Sequence, residues 1–142
     1  MSFLRGLGGH EAARILTGEG VRLRAPAAHD HADWARLREE SRDFLQPWEP
    51  MWARDELTRA AYRRRLRRYA REIREDRAYP FFIFRAEDDA LVGGATLSNL
   101  RRGVAQTCVL GYWMGAPYAG RGYMTAAVRA LVGFAFGDLA LH

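Results

Sequence analysis

At 142 residues, 49% hydrophobic and 27% charged, the chain is sized and composed for one globular domain over 1–142, not for a disordered or fibrous protein. All 22 basic residues are arginine and the formal charge is +5, so no lysine is available for a Schiff base or a Walker loop. A single cysteine excludes an internal disulfide, no Cys/His cluster suggests zinc or another metal, and no run of 18 apolar residues could span a membrane; a reducing cytoplasm is the expected setting.

Residues 1–19 predict a weakly ordered lead-in with a short helix over His10 to Leu16; Glu11 and sparse hydrophobics argue against a signal peptide. Val21-Arg22-Leu23-Arg24 alternates and predicts a strand that Pro26 ends. Asp30 is placed to cap a helix to about Arg42, with Trp34 and Leu37 inward and His29 and His31 exposed at its start. From Phe44 to Trp52 two prolines forbid regular structure, leaving an aromatic loop around Pro47-Trp48-Glu49-Pro50.

Thr58 caps the longest predicted helix, to about Asp76. Tyr62, Leu66, Tyr69 and Ile73 fall at i, i+4, i+7 and i+11, which is one face; arginines, among them Arg63, Arg67, Arg71 and Arg74, cover the rest. That basic face is either simply solvated or a docking surface for RNA or another acidic partner. Pro80 to Arg85 predicts a strand, Glu87-Asp88-Asp89 a turn, Ala90 to Asn99 its hairpin partner, Arg101-Arg102-Gly103 a solvated turn, and Gln106 to Met114 a third antiparallel strand in which Cys108 is a small buried residue. Tyr123 to Phe136 reads as a helix, and Asp138 to His142 as the start of another strand. A strand, two helices, three meandering strands and a helix make an α+β pattern: a mixed, mainly antiparallel sheet with flanking helices.

The chemistry concentrates between residues 115 and 125, where a strand ends, a glycine-rich turn follows and a helix starts. A helix start leaves N–H groups without internal partners, and with the helix dipole they favour phosphate. Gly120 and Gly122 let the backbone approach an anion, Arg121 adds charge and Thr125 a hydroxyl. The dinucleotide fingerprint would need a third glycine where Thr125 stands. By its glycines alone the turn is a weak signal, with a plain connector as the lesser alternative.

Gly111-Tyr112-Trp113-Met114-Gly115 followed by Ala119-Gly120-Arg121-Gly122-Tyr123-Met124-Thr125-Ala126-Ala127-Val128 resembles motif A of the GNAT N-acetyltransferases. The likeness is closest to the RimJ/RimL type, which acetylates protein N-termini, including those of ribosomal proteins. Arg22-Leu23-Arg24, the Pro-Trp-Glu-Pro loop, and Pro80-Phe81-Phe82-Ile83 with Gly93-Gly94 agree with that subgroup, in order, over about residues 20–142. Ala119 stands where the family has Gln or Arg, and Met124 where Gly or Ala is preferred. The family's fold continues past a fifth strand, so the chain is expected to lack its last strands and helix, and to be C-terminally incomplete.

The resemblance implies a transferase with acetyl-CoA as co-substrate. Its pantetheine arm would pair with the backbone of Tyr112, Trp113 and Met114, and its pyrophosphate would rest on the N–H groups of Ala119, Gly120, Arg121, Gly122, Tyr123 and Met124, with Thr125 beside them. An amine, most simply a protein N-terminus, would attack the thioester directly, with a backbone N–H near Trp113 or Met114 steadying the oxyanion. Glu49 is the candidate base, or else a solvated loop carboxylate. Trp48 and Trp52 either line an acceptor groove or plug the core between the helices. The strand 106–114 is expected to show an apolar edge through which chains self-associate. Two rival readings remain: an inactive remnant of the same fold, and a basic RNA- or ribosome-binding module using helix 58–76. Titration with acetyl-CoA separates the enzyme from both.

Overall fold

A computed structural model describes residues 14–103 and 106–141. Five strands form one sheet in the order β1 (Ile15–Gly18), β2 (Val21–Arg24), β3 (Tyr79–Arg85), β4 (Leu91–Arg101) and β5 (Thr107–Met114). All four pairings are antiparallel. The helices are α1 (His31–Glu40), the single turn α2 (Arg42–Leu45), α3 (Arg59–Arg74) and α4 (Tyr123–Phe136).

Side chains alternate across the pleat and build two cores. On β3, Phe82 and Phe84 face Trp34, Leu37 and Tyr62 of α1 and α3. Phe81 and Ile83 face the other way, against Ala127, Leu131, Phe134 and Ala135 of α4, joined there by Val21, Leu23, Val92 and Leu97. Each large apolar side chain so buried contributes roughly 1.5–3 kcal/mol. The hydroxyl of Thr58 accepts from Ala61 N–H and caps α3 as expected. Most of the long arginines of α3 lie outward, while Arg65 is half-buried over the Trp34 ring and Tyr62 is fully inside.

Several expectations change. Ile15 and Leu16 belong to β1, not to a helix, because β2 offers them a partner edge; the rest of the predicted lead-in, residues 1–13, lies outside the described residues. The first helix stops at Glu40, and the segment after it winds into α2 and a 3-10 turn, Gln46–Trp48. Pro47 fits that first turn because its missing N–H would have no partner there. His31 is not an exposed capping neighbour: its Nε2 lies 2.8 Å from the Leu57 carbonyl oxygen and its ring packs on Tyr62. Asp30 stands at the N-cap of α1 but turns back to bind Arg24 and Ala27 N–H.

Arg102 is exposed in the turn as expected, and it also has partners. It bonds Asp76 and donates to the Leu139 carbonyl at 2.6 Å, tying the β4–β5 connection to the segment after α4. As far as Leu141 that segment forms no strand. Leu139 and Leu141 fold back into the core while their N–H groups bond the carbonyls of Phe134 and Ala135, so the segment closes the end of α4. No helix among the described residues is long and apolar enough to cross a membrane.

Candidate active site

Among the described residues β5 pairs only with β4, so its far side is an open edge. Gly115 N–H bonds the Val92 carbonyl at 2.8 Å and therefore points toward β4. Strand groups alternate, so Trp113 N–H also points toward β4, opposite Gly94, whereas Tyr112 and Met114 turn theirs to the open edge. Of the two expected oxyanion donors, Met114 is available and Trp113 is not. Val109, Leu110 and Tyr112 are exposed along this strand at 53%, 37% and 60%, while the Trp113 side chain packs toward α1 and α3 and that of Met114 toward α4.

The turn after β5 is held at both ends. Gly115 is buried against Leu37, and Ala116 N–H donates to the hydroxyl of fully buried Ser41 at 2.9 Å. A 3-10 turn, Ala116–Tyr118, leads to Gly120 at φ +75° and Gly122 at φ +86°, with Arg121 between them at negative φ. Alternating signs of φ bring successive N–H groups to one side of the chain and form an anion-binding concavity. A Cβ at Gly120 or Gly122 would meet nothing within 4 Å; what requires glycine is the left-handed backbone, not lack of room. The first bond into α4 runs from Ala126 N–H to the Gly122 carbonyl, so the N–H groups ahead of it have no partner in the helix.

Arg85, at the end of β3, braces this turn. It lies 5.3 Å from the Tyr118 ring. It is anchored bidentately by Asp88, at 2.9 and 2.8 Å, and that bond, with Ala90 N–H, holds the Asp88 carboxyl down to about 2. A groove of about 550 Å³ runs beside the turn between the β1–β2 connection and α4, lined by Arg121, Thr125, Arg129, Gly18 and Glu19.

On the α1/α3 face of the sheet lies a cavity of about 190 Å³ whose walls include Trp34, Phe82, Gly94, Trp113, Arg38 and Glu49. Arg38 and Glu49 form a two-bond ion pair, 3.0 and 2.8 Å, with side chains 9% and 18% exposed. Trp52 Nε1 adds a third donor to Glu49 Oε1 at 2.9 Å. Three of the roughly four acceptor positions of the carboxylate are thus filled, and one on Oε2 remains. The Arg38 guanidinium lies between two indoles, 4.6 Å from the Trp52 ring centre and 4.8 Å from that of Trp113, each contact worth roughly 0.5–2 kcal/mol. Its Nε–H is buried and has no partner, a deficit of about 1–3 kcal/mol.

The family model described as "Acetyltransferase (GNAT) domain" matches residues 21–142. The chain belongs to the GNAT acetyltransferase family. It is 35% identical over 128 residues to the probable N-acetyltransferase YjcK of Bacillus subtilis, covering 90% of this chain and 71% of that one. It is 31% identical over 113 residues to the ribosomal protein uS5-alanine N-acetyltransferase of Escherichia coli, covering 78% of this chain but 58% of the relative. Among solved structures, RimJ of Mycobacterium smegmatis in complex with CoA-disulfide superposes with a TM-score of 0.79 at 29% identity, over 91% of this chain and 63% of that one. The chain thus spans less than two thirds of the latter two GNAT relatives.

Within this family's fold the expected residues fall into two groups, with Trp48 outside both. Tyr112 and Met114 line the open edge, and Ala119 through Thr125 form the turn at its end. Glu49 and Trp113 come together on the cavity, with Trp52 behind Glu49. Trp48 joins neither group: it is 83% exposed, so it neither fills the core nor lines the cavity. Arg38, Ser41 and Arg85 carried no sequence signal beyond the family's general order. An arginine on a helix reads as solvated, and the partners that bury Arg38 lie on a distant loop and strand.

Proposed function

We propose that the protein transfers an acetyl group from acetyl-CoA to an amine, most directly the N-terminal α-amine of a protein. The observation that carries this reading is the junction of the β5 edge with the left-handed turn at Gly120 and Gly122, where backbone N–H groups without internal partners converge. The donor set suits a diphosphate: main-chain N–H groups, the start of a helix, and the Arg121 side chain. A relative's structure with CoA-disulfide and the alanine acceptor named for another relative point the same way.

When bound, acetyl-CoA supplies the acetyl group as an activated thioester. Tyr112 and Met114 offer edge groups to its amide arm, as an added strand would use them. Met114 N–H is the donor for negative charge developing on the acetyl oxygen. The cavity beside Trp113 presents the amine, and the remaining acceptor position of Glu49 Oε2 accepts a hydrogen bond from it; the C–N bond would form as the C–S bond breaks, and the proton lost by the amine would leave with coenzyme A as the free thiol. Holding amine and carbonyl in line contributes much of the rate.

The outer face of α3 supports a docking role within the same reading. Arg59, Arg63, Arg67, Arg71 and Arg74 recur at helical spacing, and no ion pair among the described residues holds them, whereas Arg64 and Arg65 are paired. Their stripe, about 22 Å long, suits a phosphate backbone; binding of RNA that weakens steeply with salt, and less steeply in Arg63→Ala/Arg67→Ala/Arg71→Ala, is the expected result.

The central test is CoA titration followed by amide NMR and by mass spectrometry of peptides with N-terminal alanine. Shifts at Gly120 to Thr125 and a gain of one acetyl group on the peptide are expected. Absence of both rejects the reading.

A further inference from the structure

A second concavity adjoins the cavity beside Trp113. It measures about 530 Å³ and lies between the C-terminal half of α3 and the far end of β4, lined by Arg68, Tyr69 and Glu72 on one side and Thr96, Ser98 and Arg101 on the other. Tyr69 and Thr96 border the smaller cavity as well, so the two spaces meet at that pair. Register explains their common floor. Ala95 and Leu97 enter the α4 core, so Thr96 and Ser98 point to the α3 face. Their partners on β5 are Gly111 and Val109. A Cβ at Gly111 would meet nothing within 4 Å, and Val109 is exposed. Beyond Trp113 the sheet therefore presents a bare strip on this face, with α3 as a wall along it.

The groove is basic. Arg68, Arg77 and Arg101 line it, against the single carboxylate of Glu72. Arg68 lies 5.3 Å from the Tyr69 ring, and neither it nor Arg101 has an ion pair among the described residues. Arg77 meets Glu75 at 3.3 Å on the surface, and its carbonyl accepts from Leu100 N–H at 3.3 Å, which fixes it beside the end of β4. Gathered like charges repel one another, and an anion between them relieves the repulsion. We infer that this groove takes an acidic stretch of the acceptor polypeptide, downstream of the α-amine held beside Trp113. Gly94 lies in the wall of the amine cavity, and Ser98 and Arg101 follow it by four and seven positions on the same strand. At about 3.3 Å per residue they lie roughly 13–23 Å further on. An extended acceptor running beside α3 covers that span with as many residues of its own, so carboxylates at about its fifth to eighth residues reach the arginines. Guanidinium forks match carboxylates, and the Thr96 and Ser98 hydroxyls offer bonds to the acceptor's main chain. Continuity with the amine cavity favours a polypeptide over nucleic acid in this groove.

This inference rests on the peptide-acceptor reading, and its test is read apart from CoA binding. Fluorescence anisotropy with the full chain compares three alanine-first peptides of equal length, each labelled at its C-terminus. One carries glutamates at about positions 5–8, the second has glutamines in their place, and the third has the same glutamates moved about ten positions further on. Exposed ion pairs contribute modestly one by one, so the first peptide is expected to bind about fivefold or more tightly than either of the others at low salt. Arg77→Gln/Arg101→Gln, at two exposed sites, should bring the three affinities together while CoA affinity, followed by calorimetry, stays at the wild-type value. No peptide binding, equal binding of the glutamate and glutamine peptides, equal binding after the glutamates are moved, or a preference that survives in the double variant overturns the inference. The wild-type comparison needs no folded variant. RNA binding lost in the double variant, without any glutamate preference in the wild type, would give the groove to nucleic acid instead. A positional glutamate preference in a protein that binds no CoA would leave the groove standing and remove the acetyl-transfer reading.

Discussion

Replacing Gly94 with alanine tests the cavity wall. Gly94 lies on β4 directly across from Trp113, and an added Cβ would stand 2.5 Å from the indole Nε1, 3.2 Å from Cε2 and 3.3 Å from Cδ1. Ordinary contact begins near 3.5 Å, so one side must give by about 1 Å. The two strands are locked in register, which leaves the indole to move. Overpacking costs about 1–3 kcal/mol, and moving the ring off Arg38 forfeits roughly 0.5–2 kcal/mol of cation–π attraction. Gly94→Ala is therefore expected to lose about 2–4 kcal/mol in urea unfolding followed by far-UV circular dichroism. Trp113→Leu removes the obstacle, so the alanine should cost far less in that background, a coupling of about 1–3 kcal/mol. Peptide affinity should fall at least tenfold, while CoA affinity, set by the edge and the turn, should hold. A Gly94→Ala protein within about 0.5 kcal/mol of wild type, or a cost undiminished by Trp113→Leu, would refute the packing described for this wall.

At Gly122, φ +86° with nothing within 4 Å of an added Cβ, alanine meets backbone strain of roughly 1–2 kcal/mol and no clash; CoA affinity by calorimetry should drop about tenfold or more as the N–H groups re-aim, and an unchanged affinity would remove the turn from the binding site. Burial acts to raise the Asp76 carboxyl, but bonds from Arg102 and Tyr79 outweigh it and hold the group below its ordinary 3.8. The stabilisation is thus complete above the unfolded value and is lost as pH falls through the lower, folded value; Asp76→Asn should flatten the acid limb of the melting temperature, and an unaltered limb argues against the pairing. The open β5 edge, with Val109, Leu110 and Tyr112 exposed, should drive concentration-dependent self-association visible by sedimentation, and Val109→Lys should shift the chain toward monomer. A wild-type monomer at high concentration would contradict this.

What the sequence disclosed follows the range of the interactions involved. Helix α4 has the bounds read from sequence, because Gly122 and Gly137 punctuate an apolar run that needs no distant partner to be recognised. Thr58 announced α3 for the same local reason. β1 was misread since Ile15 to Gly18 is too short to show a period, and only pairing with β2 makes it a strand. Two prolines correctly broke the regular pattern after Leu45 but concealed the 3-10 turn that carries the chain on to Glu49. Glu49 itself was singled out from its loop, yet its ion pair with Arg38, eleven positions earlier, depends on that loop folding back over α1. No local pattern encodes such a return. The partners of Arg102, Asp76 and Leu139, are hidden from the sequence for the same reason, because they lie on segments remote from it.

Register decides more of the proposed chemistry than residue type does. Trp113 and Met114 are neighbours, and both suited an oxyanion role when only their positions were known. Pairing separates them: the indole of Trp113 enters the cavity wall while its N–H is spent on β4, and Met114 does the reverse, burying its side chain toward α4 and turning its N–H to the open edge. A slip of one residue would exchange these duties, sending Trp113 to the α4 face and aiming its N–H outward. Two features oppose the slip. Gly115 N–H is fixed on the Val92 carbonyl, and a slip that set Trp113 opposite Ala95 would place a methyl group where Gly94 leaves room for the indole. The glycine pair at 93–94 therefore links the two halves of the proposed site: it keeps one strand presenting an aromatic wall to the amine on its face and a hydrogen-bond donor to the thioester at its edge.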